Sequence, residues 1–400
     1  MSTNTLALTT NLSLLFTQFL LHVSPAFPAK NTLHISLILA LVLATHFVGP
    51  VSPIPADAQP YTLLWPIWLG TIEKCITAGS KSIEDTFWRV GKGEKEAVGM
   101  RGFAPRKIGW AVALLGNWRL VGWNQQARNV PAPREGGRWE FVVGQVGKFG
   151  KLLLVTDALL QLGIRLCWTA PDGSIFADSK GLTIREGENW ARGFAKAAVF
   201  GAGPYFFMHM QYVALSIVAV GTGLSEVRDW PPLFGGIDEA TSVRNFWGTF
   251  WHQSIRRPLT TISNTILDTL GVQKKTTIRS YAFIYLAFGI SGLAHAQSMN
   301  LLPRPANITL SESTLGIMYF FLWQAVAITI EDFVGWTWKQ MGRKPEDLGM
   351  WRSALGYTWV TVSMWLSLPW AADVMMRLRL TEESFLPGTV WGGVVAKIPV

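Results

Sequence analysis

Apolar residues in this chain run in blocks rather than alternating with polar ones, and the blocks cover residues 12–27, 33–48, 61–72, 152–168, 197–224, 278–299, 315–334 and 354–376. Most approach the roughly 20 residues that a membrane helix needs. The third is short and contains Pro66. A further stretch, 108–123, carries Arg119 among apolar, small and polar residues and reads as amphipathic or re-entrant. The pattern predicts an all-α fold: a polytopic integral membrane helical bundle of about eight transmembrane helices plus interfacial or re-entrant helices, in one domain over residues 1–400. The first block lacks a basic flank and is followed almost at once by the second, so it is expected to be a retained anchor rather than a cleaved signal.

Composition agrees with lipid as the solvent. Hydrophobic residues make up 49% of the chain and charged residues 15%, against about 25% charged in a typical soluble domain. The net charge of +9 is spread between the apolar blocks, where it reads as a topology signal and not as a nucleic-acid footprint. Residues 74–107 and 225–280 are rich in Lys and Arg and are expected on the cytosolic side, and residues 336–352 return there. Residues 297–312, with Arg304 alone, are expected in the lumen, as are both termini. Asn307 in "NIT" is a glycosylation sequon within that lumenal loop. Residues 169–195, of mixed charge, fit the alternation less cleanly. The charged run "IEKCITAGSKSIEDTFWRVGKGEKEAVGMRG" reads as a solvated cytosolic loop, with a part in cofactor entry as the second reading. Cys75 and Cys167 match no metal spacing and are too few for a disulfide scaffold.

Histidines are the natural candidates for chemistry. His295 lies near the end of an apolar block in "LAFGISGLAHAQSM", where Gly289, Ser291, Gly292, Ala294 and Ala296 allow a backbone or ligand to come close. It reads either as a functional ionisable group in the membrane or as a histidine hydrogen-bonded for packing. His252 lies in "SVRNFWGTFWHQSIRRPL", read as a helix over 242–255 ended by Pro258. Such a helix puts Asn245, His252 and Arg256 on one face, Phe246 and Phe250 on a second, and Trp247 and Trp251 on a third. It is either an interfacial anchor or the wall of a cavity. His209 reads as structural, His22, His34 and His46 as core or interface residues, and Glu331 with Asp332 as a solvated or ion-paired helix end or a functional acid pair. The chain has no GxSxG, P-loop, HExxH or Asp-rich metal motif, so hydrolase, ATPase, metalloprotease and prenyltransferase readings lose support.

Two motifs in order bring a family into view. "WPPLFGGIDEATSVRNFWGTFWHQSIRRPL", followed by "FGISGLAHAQ", resembles the wax synthase-like branch of the membrane-bound O-acyltransferases, with its "PLFG" entry, "FWGRRWHQ"-like helix and later "SGLxH". "NWRLVGWNQQARNVP" is similar to a segment of the fungal members. The likeness runs from about 110 to 335 and is best over 230–297, departing at Thr249, where an Arg is common, and at Ala296. It implies His295 as the catalytic histidine, His252 in the second position, an acyl-CoA donor and a hydroxyl acceptor. The residue types suit that chemistry: neutral imidazole can take the hydroxyl proton, and His252, Asn245 or Gln253 can donate to the developing charge. Arg244, Arg256 and Arg257 lie on the side from which CoA would come, and Trp247 and Trp251 can shape the pantetheine tunnel.

The leading expectation is acetyl transfer from acetyl-CoA, as co-substrate, to a terpenoid or meroterpenoid hydroxyl, with no tightly bound cofactor and no metal. The expected partners are the hydrophobic alcohol, acyl-CoA and the lipid bilayer, with no nucleic acid, in the endoplasmic reticulum. Behind it stand long-chain acyl transfer to a fatty alcohol or sterol, a non-catalytic transporter or lipid-binding protein, and a metal-free terpene cyclase using Glu331 or Asp332.

Overall fold

The structure, a computed structural model, describes residues 3–185, 187, 189–349 and 351–399. Among them there is no β-strand, only two isolated bridges. α1 (Thr5–Val23) and α2 (Lys30–Val48) form a hairpin, its ends tied by Asn4, whose amide donates to the Val48 carbonyl at 2.7 Å. The short third block divides into α3 (Pro55–Thr62) and α4 (Trp65–Ala78). Pro66 opens α4, because a proline in the first helical turn lacks only an N–H that has no partner there anyway. With 14 residues, α4 is too short to cross alone. Together α3 and α4 make the return crossing: the Asn31 amide at the start of α2 donates to the carbonyls of Gly79 and Lys81 at 2.8 and 2.9 Å.

Residues 79–131 are not a solvated loop. They contain α5 (Glu94–Val98) and α6 (Pro105–Gly116) and pack Ile83, Phe87, Ala97, Trp110, Leu114 and Leu120 into a buried cluster. Lys107 is fully buried, 2.6 Å from the equally buried Glu84, and donates to the Ser24 carbonyl at 2.8 Å. Charge count alone hid this cap, because Lys107 and Glu84 pair inside it and it buries Ile83, Phe87 and Leu114.

α7 (Arg138–Gly163) runs into a π-helical turn, Ile164–Trp168, and packs along α8 (Trp190–Gly221). Then come α9 (Val243–Asn245), α10 (Arg256–Thr269), α11 (Thr277–Met299), α12 (Leu315–Gln340), α13 (Trp351–Arg377) and the short α14 (Gly392–Val395). α1, α2, α8, α11 and α12 are long and apolar enough to span a bilayer. α7 and α13 are as long, at 26 and 27 residues, but more polar. α12 and α13 meet backbone to backbone at Gly316, where a Cβ would lie 2.2 Å from the Trp370 carbonyl oxygen.

The hydrogen bonds between loops sort them into two ends. Arg119 donates to the carbonyls of Pro231 and Pro232, and Arg257 to that of Gln125, so the 79–131 cap and the 225–276 region share one end. At the other, Lys180 reaches the Asn307 carbonyl and Arg379 those of Phe176 and Ala177. Residues 169–185 thus lie with residues 300–314, as the charge alternation requires. Asn307 is exposed there, its amide donating to Asp178.

Removing one partner of a buried ion pair leaves an uncompensated charge, at about 3–5 kcal/mol. Glu84→Ala is therefore expected to lower the thermal midpoint of the detergent-solubilised protein far more than the paired replacement Glu84→Leu/Lys107→Met. Equal losses would show that the pair carries no such charge.

Candidate functional site

His295 sits one turn from the end of α11, and its Nδ1 lies 2.8 Å from the Ser291 carbonyl oxygen. A carbonyl only accepts, so Nδ1 carries the proton and Nε2 keeps the lone pair. The ring is held between Trp65 and Phe321, each with its centroid 4.5 Å away. Rotamer and tautomer are both fixed before any substrate arrives.

The segment around His252 is not the single helix expected over 242–255. α9 passes into a π-helical turn, Phe246–Phe250, closed by the Trp251 N–H on the Phe246 carbonyl at 2.7 Å. The backbone is extended at Trp251, and α10 begins at Arg256 with Pro258 inside its first turn. Pro258 therefore helps open the next helix and does not end this one, for the same reason as Pro66. Asn245, His252 and Arg256 share no helix face.

Six residues from other parts of the chain hold this irregular turn. Glu331 of α12 accepts the backbone N–H groups of Val243 and Arg244 and the Trp359 indole N–H, and so caps α9 from outside. Beside it Asp332 pairs with Arg244 at 2.5 Å and accepts from the Tyr281 hydroxyl. The Trp247 indole donates to Gln324 Oε1 at 3.1 Å, and the buried Gln324 amide donates on to Ser367. The carbonyl of Gly248 accepts from Asn129 and from Arg256, at 2.8 and 2.6 Å. At the end of the turn the Gly235 N–H donates to the Phe250 carbonyl at 2.8 Å, and a Cβ on Gly235 would lie 2.5 Å from the Thr249 carbonyl oxygen. The glycine of "PLFG" is thus required by close approach.

His252 and His295 line one cavity of about 2540 Å³. Its wall is basic at the cap end, where Arg89, Lys92, Arg106, Arg244 and Arg256 contribute, and apolar at the other, with Phe207, Leu368, Met375 and Phe385. Trp247, Trp251 and Gln253 also line it. Asn245 and Arg257 do not. Asn245 is exposed on the outer side of the turn, and Arg257 is committed to the buried Glu73 and to the Gln125 carbonyl. Burial first, then the nearby His295 imidazole and Arg119 guanidinium, push the His252 pKa from 6.5 down to about 3, and its buried Nδ1 has no hydrogen-bond partner among the described residues. His209 packs against Tyr205 and Phe234 away from the cavity. Glu331 and Asp332 also stand outside the cavity wall.

Several contributors were not foreseen. Trp65 and Phe321 carried no local signal, since their contact with His295 joins three separate helices. Arg119, which clasps both prolines of "WPP" and the Tyr212 hydroxyl, was noted only as an interruption of an apolar stretch. Gln324 did carry a signal, an amide inside an apolar block, of the same kind that singled out Glu331.

Comparison with known proteins gives two family matches. Residues 230–323 match the membrane bound O-acyl transferase family, and residues 137–221 match the aspirochlorine biosynthesis protein F C-terminal domain. The chain is similar to aspirochlorine biosynthesis protein F of Aspergillus oryzae, 36% identical over 230 residues, which cover 56% of this chain and 89% of that protein. It is 29% identical to acetyltransferase sirH of Emericella nidulans over 271 residues, 67% of this chain and 59% of the relative. Acetyltransferase atnC of Arthrinium sp is also 29% identical, over 313 residues, with 72% and 69% covered.

A pKa that falls from 6.5 to about 3 on folding leaves the unfolded chain holding more protons between those values. His252 should therefore cost no stability above about pH 7 and progressively more as pH drops toward 3. The thermal midpoint of the wild type is expected to decline more steeply than that of His252→Asn between pH 7 and 4. Parallel pH profiles would contradict the buried, neutral imidazole.

Proposed function

Because the chain belongs to the membrane-bound O-acyl transferase family, we propose that it moves an acetyl group from acetyl-CoA to a hydroxyl of an apolar terpenoid or meroterpenoid. The observation that carries this reading is the cavity shared by His295 and His252. At about 2540 Å³ it exceeds the roughly 300–1,000 Å³ of an ordinary ligand pocket and has room for two substrates. One end offers cations to the phosphates of CoA and the other offers apolar side chains to a hydrocarbon skeleton.

The reaction follows from the ring orientation. Nε2 of His295 takes the acceptor hydroxyl proton as the oxygen bonds to the thioester carbonyl carbon. The carbon–sulfur bond then breaks, and the proton on His295 passes to the departing thiolate. His252, neutral at physiological pH, donates a hydrogen bond to the tetrahedral oxyanion, whereas Gln253 is not available for this because its amide donates to the Trp247 and Trp251 carbonyls. Trp247 and Trp251 flank the path of the pantetheine arm, and Arg244 and Arg256 stand at its phosphate end. Arg257 has no part in donor binding, because its guanidinium is held by Glu73 and Gln125.

Acetyl is favoured as the donor group because relatives such as sirH and atnC are named acetyltransferases. The size of the cavity also suits a long-chain donor, which makes palmitoyl transfer to a fatty alcohol or sterol the second reading. A cyclase reading loses the two acids it would use, because Glu331 caps α9, Asp332 pairs with Arg244, and neither lines the cavity. The endoplasmic reticulum, with the basic end toward the cytosol where CoA is made, is the membrane we assign.

Microsomes carrying the protein are expected to esterify terpenoid alcohols with radiolabelled acetyl-CoA faster than with palmitoyl-CoA. His295→Ala should lower the rate by about 10²–10⁴-fold. Ester formation at the wild-type rate by His295→Ala would sink the mechanism, and a preference for palmitoyl-CoA would move the assignment to the second reading.

A further inference from the structure

Asp157 is 3% exposed in the last third of α7, in a block of Leu and Val. Its Oδ2 accepts from the Thr389 hydroxyl at 3.0 Å and from the backbone N–H groups of Val390 and Trp391 at 2.7 and 3.3 Å. These donors come from the segment after α13. That segment leaves the far end of the bundle at Leu380, descends until Leu386 packs with Leu152, Met210 and Val213 between α7 and α8, and climbs back. On the return the Trp391 indole donates to the Leu154 carbonyl, and the Ile398 carbonyl accepts from Arg165 at the end of α7. Residues 380–398 therefore form a re-entrant strap. Irregular backbone at membrane depth persists only where protein groups satisfy its polar atoms, and Asp157 satisfies two of its N–H groups and one hydroxyl.

The strap reaches the cavity. Leu380, Thr381 and Phe385 line its apolar end, and Phe385 packs edge-on against Phe207 of α8, centroids 4.9 Å apart. The basic residues of the cavity wall lie at the opposite end. We infer that this strap is the size-selecting wall of the acceptor compartment, with Phe385 setting the bulk of apolar alcohol admitted and Asp157 acting as the positioning residue that holds the strap in place. The assignment of the compartment to the acceptor rests on the acyl-transfer reading, whereas the docking of the strap on Asp157 does not.

Two measurements separate these claims. In microsomes supplied with acetyl-CoA, Phe385→Ala is expected to raise the ratio of bulky to compact terpenoid alcohols esterified by roughly tenfold, the scale on which a hydrophobic pocket discriminates. An unchanged ratio, or a shift in donor chain length instead, overturns the acceptor assignment. Docking is read without activity: Leu386→Cys should resist a polyethylene-glycol maleimide in the intact protein and react several times faster once Asp157→Ala is added. Cys75 and Cys167 are buried and give a low background. Equal labelling in both backgrounds overturns the strap. If the wild type esterifies no alcohol at all, the acyl-transfer reading fails and the acceptor role falls with it, while the labelling still decides the strap.

Discussion

A buried peptide group that leaves the α-helical pattern must find its hydrogen bond elsewhere in the protein, since an unpaired backbone polar group shielded from water is costly. This constraint organises the site. The start of α9 leaves the N–H groups of Val243 and Arg244 without helical partners, and the π turn Phe246–Phe250 that follows leaves the carbonyls of Gly248 and Phe250 outside the regular pattern. Glu331, Asn129, Arg256 and Gly235 supply the missing ones from four different parts of the chain. What they fix is more than a turn, because the extended residue that follows carries His252 into the cavity lined by His295. The same constraint explains Asp157, whose carboxylate serves a second irregular segment after α13.

Polar residues inside apolar helices divide accordingly. Glu331, Gln324 and Asp157 are receptors for backbone or indole N–H groups, while His295 presents its lone pair to open space. Sequence flags all of them equally, as ionisable or amide groups where such groups are rare. Only the partner distinguishes them. A carboxylate surrounded by donors is occupied, and an imidazole with one nitrogen tied to a carbonyl is half free.

This division sets how much of the protein was legible beforehand. The long helices were, because a block of about 20 apolar residues has few other solutions; α8, α11 and α12 fall close to their expected spans. The two ends of the bundle were legible from Lys and Arg alone. The short elements were not. Pro66 and Pro258 read as breaks within or after helices, yet each lies in the first turn of one, and nothing local distinguishes these outcomes. The cap was misread because Lys107 and Glu84 count as two surface charges in a sequence and as one buried pair in the fold. The histidines were found by residue type and motif, but the ring sandwich of Trp65 and Phe321 joins α4, α11 and α12 and exists only in three dimensions.

The arginines of the motif meet different fates. Three in the motif were candidates for donor phosphates, and the structure commits them unequally. Arg257 is spent on Glu73; Arg256 holds the Gly248 and Gln253 oxygens yet still lines the cavity; Arg244 pairs with Asp332 in an exposed, readily screened contact. An exposed ion pair contributes about 0–1 kcal/mol, so a phosphate can compete for Arg244 with little loss to the fold. A phosphate drawing on Arg256 would instead loosen the carbonyl contact that steadies the turn bearing His252. On the proposed reading, donor binding through Arg256 would couple to the geometry of the second histidine, whereas contacts to Arg89, Lys92 and Arg106 of the cap would leave the turn untouched.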